Sequence, residues 1–479
     1  MYSIYFAVIS ALTTDEPMPS YAFAMLDGEF ETALRHSTRQ TDPDGAVDEE
    51  LRVLACQATA DASLLLGRDE DAEEHYRKAQ KLLRGSNEQL RVFSCRNTGW
   101  QALAMHRYSA ALHCFSRISQ EGAASGRQKI EAALGVAIIH HLLGQQDAAD
   151  EALAHARALT ASEPDGRWLL LTELLAVDFA VQLGVRCSAV LRDHAFWQSV
   201  MTRGNHMQLL RDFGEHMGRS AAGRPTPELV ARHAQYLALL TRLAAGERDA
   251  GVALAAHAAS ARKWECHAYS NGVRLEIALA ALAGDCVDLA EQTLQRSGPG
   301  NCTTRRWNLD YLYCQAKICM QRGYVAEAMK FYASYTHDAL QCLRNETQVI
   351  KSLDGSVHNA VALPTDDVSA RLPAKYRRAY RYIVEHFTKN DLCTREIAAQ
   401  IGVTERALQM AFREHLGMSP SAVVRRLRLE AIRADLQDEG QAGANIIKTA
   451  NRWGLKSRSA LIRGYRKQFQ ESPSETSCR

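Results

Sequence analysis

A glycine followed five residues later by an alanine recurs along the first 350 residues, at Gly28/Ala33, Gly67/Ala72, Gly144/Ala149, Gly184/Ala189 and Gly323/Ala328. Weaker copies fill the gaps: His106/Ala111 lacks the glycine, and Gly246/Gly251 and Gly284/Leu289 lack the alanine. Successive anchors lie 39, 39, 38, 40, 62, 38 and 39 residues apart. A period of this length accommodates one helical hairpin, and hairpins that bury their apolar faces on their neighbours form a solenoid. Glycine supplies the positive φ that ends a first helix, and the small alanine lets the second helix pack closely against it. Four residues past the alanine stands an aromatic in three copies, Tyr76, Phe115 and Tyr332. On the same helical face, it is expected to fill the seam to the next hairpin.

Stretches such as LGRDEDAEEHYRKA and RGYVAEAMKFY resemble the tetratricopeptide repeat in these positions, over residues of roughly 20 to 345. The period here exceeds that family's 34 residues by about five, which implies longer helices or loops. The 62-residue interval holds Gly204, Gly214, Gly218, Gly223, Pro225 and Pro227 and reads as an irregular segment, a variable loop of the solenoid. The apolar run Tyr5 to Leu12 has no Lys or Arg before it, and reads as the first helix of the array rather than a signal segment. Twelve cysteines sit singly, with only Cys314 and Cys319 near a paired spacing. Dispersed reduced thiols and a cytoplasmic location are therefore expected, with no metal site.

The net charge of +2 hides a segregation. From Pro373 to Arg479 there are 20 Lys and Arg against 11 Asp and Glu, a balance of +9, which leaves −7 on the first 372 residues. A basic module joined to an acidic body suggests a phosphate-backbone partner for the basic part. Between them the polar stretch DGSVHNAVALPTDDVSARLP, with Gly355, Pro364 and Pro373, reads as a linker. The expected organisation is all-α: a tetratricopeptide-like helical-hairpin solenoid over 1–350, a linker over 351–372 and a double helix-turn-helix over 373–479.

An amphipathic helix opens the basic module, with Tyr376, Tyr380, Ile383, Val384 and Phe387 on one face. Residues 392–415 then read as two short helices. Ile397, Ala398 and Ile401 face inward, Gly402 makes the turn, Thr404 caps the next helix, and Leu408 and Phe412 anchor it. A second copy spans 446–467, with Ala450 inward, Gly454 at the turn, Ser457 as cap, and Leu461 and Tyr465 as anchors. One helix over Ser419 to Leu436 joins them, with Val423, Leu427, Ala431 and Leu436 as its apolar positions.

The block IAAQIGVTERALQMAFREHLGMSPSAVVRRLRLEAIRADL and the closing YRKQFQESPSE resemble the AraC/XylS family of bacterial transcription regulators across the whole of 373–475. With the helical-repeat body, the chain looks most like the Hrp-type activators of type III secretion genes in plant-pathogenic bacteria. The resemblance implies base contacts by Arg406, Gln409 and Met410 in the first unit and by Arg458, Ser459, Ile462 and Arg463 in the second. These are the outward positions of each second helix, where Arg pairs with guanine and Gln with adenine. Thr404, Arg413, Ser457, Arg466 and Lys467 are placed as phosphate contacts, which add affinity without sequence information. Met410 stands where an Arg is common, and Thr449, Leu455 and Gln470 also depart from the family pattern.

The resemblance implies double-stranded promoter DNA and RNA polymerase as partners, with no membrane and no cofactor. A regulatory protein or a second copy of the chain is expected on the repeats. The competing reading is a repeat scaffold that binds a protein or peptide, with DNA binding secondary. An enzyme finds little support: there is no P-loop, no G-x-G-x-x-G after a strand, no H-E-x-x-H and no nucleophile elbow. His140 and His141 lie in an apolar helix and read as packing residues.

Overall fold

The computed structural model describes residues 2–41, 49–83, 86–197, 206–220, 226–261, 264, 266–295, 305–354, 372, 374–389, 392–416, 418–438, 449–450, 452–455, 458–469, 471–473 and 476. The chain divides into two compact units, Met1–His358 and Asn359–Arg479. Among the described residues all regular structure is helical.

In the first unit, α1 (Ser3–Thr14) precedes a series of antiparallel pairs. These are α2 (Pro19–Asp27) with α3 (Phe30–Arg39), α4 (Glu49–Leu65) with α5 (Asp69–Leu82), α6 (Asn87–Ala104) with α7 (Tyr108–Gln120), and α8 (Gly126–Leu142) with α9 (Gln146–Thr160). After α10 (Arg167–Arg186) and α11 (His206–Ser220) the pairing resumes. Here α12 (Glu228–Ala244) pairs with α13 (Arg248–Ala261), α14 (His267–Ala283) with α15 (Val287–Gln295), and α16 (Arg305–Gln321) with α17 (Val325–Asp354).

The turns fall where the repeat places them. Gly28, Gly67, Gly144, Gly246 and Gly323 have φ of 81°, 72°, 73°, 93° and 79°, and His106 takes the same region at 55°. The alanines that follow, Ala33, Ala72, Ala111, Ala149 and Ala328, are buried. Phe115 fills its seam as expected: a Cβ on Gly99 of its own hairpin or on Gly135 of the next would lie 2.8 or 2.6 Å from its ring. Tyr76 instead turns its hydroxyl inward to Asp61, and half-buried Tyr332 ends the series against Tyr335.

Two anchors differ from the expectation. Gly184 lies inside α10, which ends only at Arg186, and Ala189 is exposed in the turns that follow. The apolar face of α10 continues through Val185, and its burial carries the helix past the glycine. At Gly284 the left-handed residue is its neighbour Asp285, φ 59°. Gly284 serves a close approach, since a Cβ there would run into the Leu243 carbonyl. Likewise α17 continues through 351–354, so the segment expected as linker from 351 begins as helix. Residues 355–371 of it lie outside the described residues, as do 198–205 and 221–225 of the irregular segment, which holds α11 between them.

Helix α1 is no end cap. Every residue from Ile4 to Leu12 is buried, and α1 packs against α2, α4, α10, α12 and α14. Apart from its neighbour α2, these are helices from 49 to 283. They meet on one twelve-residue helix only because the superhelix winds around it. The winding closes: α2 touches α12, and Phe30 meets Trp264 edge to face at 6.4 Å between ring centres. The concave channel that a solenoid offers to a ligand is filled here by the chain's own first helix.

The first helices point a row of polar groups into that channel. Arg96 on α6 pairs with Asp61 on α4 at 2.7 and 2.8 Å and with Glu131 on α8 at 2.9 Å. Ser10 of α1 donates to Asp61 at 2.6 Å, and Tyr5 donates to Asp178 of α10 at 2.9 Å. His233 meets the same Asp178 carboxylate at 2.9 Å. All of these groups are buried, so each pairing offsets a desolvation cost. Among the described residues one helix, α10, is long and apolar enough to cross a membrane, but it lies packed inside the unit with Asp178 at its centre.

Candidate nucleic-acid interface

The second unit begins with α18 (Ala374–His386), followed by α19 (Thr394–Gln400) and α20 (Glu405–Leu416). Gly402 turns between the latter two at φ 63°, and the Val403 amide closes on the Ala398 carbonyl at 3.1 Å. Thr404 accepts the Ala407 amide at 3.2 Å, the expected cap. Ile397, Ala398, Ile401, Leu408 and Phe412 are buried together with Ala379 and Ile383 of α18. Val384 does not join them; it is exposed, and half-buried Tyr382 takes its place and donates to Glu396 at 2.8 Å. Hydrogen bonds from Lys389 and Tyr382 hold the Glu396 carboxyl below its ordinary range.

With Leu408 and Phe412 buried, the opposite side of α20 carries Arg406, Met410 and Arg413, all exposed, and half-buried Gln409. Met410 is 59% exposed, an unusual position for an apolar side chain and one open to a partner.

Ser419 caps the next helix, α21 (Pro420–Asp438), by accepting the Ala422 amide at 3.3 Å. Its 19 residues span roughly 28 Å. Of the four apolar positions expected on it, Val423 and Leu436 are buried, and they enter different cores. Val423 and Val424 enter the core of α18–α20, whereas Leu429, Ile432 and Leu436 enter a separate core with Ala450, Leu461 and Tyr465. Leu427 and Ala431 are only half-buried. A helix serving two cores on different sides must change its buried face partway along.

That second core holds α22 (Arg458–Phe469). Residues 449, 450 and 452 are helical, Gly454 turns at φ 78°, and the Leu455 amide closes on the Ala450 carbonyl at 2.9 Å. The turn repeats the one at Gly402. Arg458, Arg463 and Arg466 are exposed on α22 and Ile462 is half-buried. Ser457 and the side chains of Ser459 and Lys467 lie outside the described residues.

Sequence reasoning missed what joins the two halves. Arg428, from the middle of α21, donates to the Phe387 carbonyl at 2.6 Å, the Lys389 carbonyl at 2.6 Å and the Gly454 carbonyl at 2.9 Å. It thus ties the end of α18 to the second turn. Phe387 and Trp453 stack across the same joint, 5.7 Å apart with parallel rings. Burial pushes the Arg428 guanidinium below its ordinary value, although it remains a cation in any solution near neutrality. Arg428 is one of four arginines between 425 and 433, which hid it in the sequence.

Residues 397–479 match the family model of a helix-turn-helix domain. Over its whole length the chain is similar to the regulatory protein HrpB of Ralstonia nicotianae, 48% identical over 479 residues, 99% of each chain. The chain is an AraC/XylS-family regulator of the HrpB type. Over a shorter stretch it is similar to the probable thc operon regulatory protein of Rhodococcus erythropolis, 31% identical over 104 residues, 22% of this chain and 31% of that one. A XylDLEGF operon transcriptional activator of Pseudomonas putida is 29% identical over 101 residues, 21% of this chain and 31% of the other. No solved structure matches the chain. This regulator is a sequence-specific DNA-binding transcription protein.

Proposed function

We propose that this regulator activates virulence genes, those of type III secretion, by reading promoter DNA with two helix-turn-helix units. Base contacts fall to Arg406, Gln409 and Met410 on α20 and to Arg458, Ser459, Ile462 and Arg463 on α22. Thr404, Arg413, Ser457, Arg466 and Lys467 hold phosphates. The observation that carries the reading is the joint at Arg428, which couples two similar turns, each followed by a helix with exposed arginines. Two recognition helices held on one connecting helix suit successive major grooves, about 34 Å apart on one face of the duplex.

The repeats, tetratricopeptide-like hairpins over about 1–350, form the regulatory part of the molecule in this reading, and the unit from about 373 onward reads DNA in the cytoplasm. Because α1 fills the channel, a regulatory protein or a second copy of the chain docks on the outer helices. RNA polymerase is the partner at the promoter. Footprinting of the full chain on a target promoter tests the proposal. Two protected patches about one helical turn apart support it, and protection that does not distinguish promoter from random DNA overturns it.

A further inference from the structure

Cys95 on α6 and Cys114 on α7 stand 19 residues apart in sequence, and nothing in their spacing marks them as a pair. The hairpin brings them face to face. Arg91, one turn before Cys95, and Arg117, one turn after Cys114, both bind Glu121, at 2.9 and 3.6 Å. One turn the other way, Gly99 lies directly under the Phe115 ring. Between these two contacts the thiols meet, and one donates a hydrogen bond to the other. Both are partly exposed, whereas Cys56, Cys266, Cys286 and Cys314 are buried.

We propose that Cys95 and Cys114 form a reversible disulfide on reaction with a peroxide, making the α6–α7 hairpin an oxidant-modified site of the repeat body. The hydrogen bond from Cys114, with help from Arg117 and Arg91, brings the Cys95 thiol down to about 7 against the opposing effects of burial and Glu121. The hydrogen bond to Cys95, then burial and the charge of that thiolate, push Cys114 up. Cys95 is therefore the attacking thiolate, and Cys114 keeps its proton until the second step. The Cys95 sulfur attacks one peroxide oxygen, the O–O bond breaks, and Cys95 becomes a sulfenic acid while water leaves. The Cys114 sulfur then attacks the Cys95 sulfur and expels the second water. The two thiols lose two electrons and two protons, and the peroxide takes up both. A dithiol reductant reverses the bond by exchange. The Glu121 ion pairs on one side and the Gly99–Phe115 contact on the other fix the two helices so that the thiols face each other across one hairpin.

The test uses the reduced full-length protein, treated with hydrogen peroxide, quenched with N-ethylmaleimide and digested for mass spectrometry. A Cys95–Cys114 linked peptide is expected, lighter by two hydrogens, at a rate about tenfold above oxidation of the exposed Cys393. In Cys114→Ser the Cys95 sulfenic acid persists and is captured by dimedone; in Cys95→Ser, Cys114 gives no adduct. Circular dichroism establishes that both variants are folded. Recovery of Cys95 and Cys114 as maleimide adducts while Cys393 is oxidised overturns the proposal. So does a disulfide from either one to another cysteine.

Discussion

Arg428 donates to the Gly454 carbonyl at 2.9 Å from the middle of a helix that both cores of the second unit share. A Cβ on Gly454 would come within 3.0 Å of the guanidinium carbon, so the second turn accepts Arg428 only because it is a glycine. A charged donor serving three carbonyls contributes roughly 2 kcal/mol, and no other side chain presents the same fork. Arg428→Ala is expected to weaken binding to a complete operator by more than tenfold. Its effect on a DNA site containing only one half is small, because each recognition helix keeps its own core. Titrations against full and half sites check this, and equal losses on both would remove Arg428 from the joint.

Arg406 and Arg458 occupy matching outward positions at the starts of α20 and α22. Arg406→Ala and Arg458→Ala should each cost about 1 to 3 kcal/mol and relax sequence preference at one base pair in the corresponding half. Arg413→Ala and Arg466→Ala should weaken binding evenly on all sequences and reduce the slope of log affinity against log salt by about 0.9 each. Competition assays with single-base operator variants at several salt concentrations separate the two patterns.

In the repeat body, Arg96 is the only cation bonded to both Asp61 and Glu131 among the described residues. Arg96→Met leaves two carboxylates in the interior and is expected to destabilise by about 3 to 5 kcal/mol. Combining it with Asp61→Asn and Glu131→Gln should recover a large part of the loss, since the penalty lies in unpaired charge rather than in a missing contact. Urea unfolding of the single and triple variants provides the measurement. A triple variant no more stable than the single would show that the ion pairs themselves carry the stability.

The hairpins are legible because their turn chemistry is local: a glycine at positive φ and a buried alanine five residues on are fixed by one hairpin at a time. Gly184 misleads for the same reason, as the pattern recurs by chance inside a helix whose length is set by packing. The helix-turn-helix anchors Leu408, Phe412, Leu461 and Tyr465 are equally local, and all four are buried. What depends on closure of the whole superhelix leaves no periodic trace. The burial of α1 and the Tyr5–Asp178 bond across 173 residues belong to this class. Arg428 is hidden differently, by neighbours of the same type.

Buried His141 makes the body less stable in acid. It is buried and stacks on Phe179 with ring centres 4.0 Å apart. Desolvation, reinforced by the Arg186 charge and only partly opposed by Asp178 and Gln146, lowers its pKa to about 3. The unfolded chain binds the proton near pH 6.5, so protonation favours unfolding. The contribution of neutral His141 is complete above 6.5 and declines as pH falls towards 3. At pH 5 the loss is roughly 2 kcal/mol, at 1.36 kcal/mol per unit. Carboxylates such as Asp178, held below its ordinary value by His233 and Tyr5 against the larger effect of burial, lose their contribution only at lower pH. His141→Gln forfeits the stack and is less stable at pH 7, but its stability should change less between pH 7 and pH 5 than that of the parent chain. Urea unfolding at the two pH values measures the difference, and parallel curves would assign the acid sensitivity to other groups, of which His257, lowered to about 4 by burial, is the next in line.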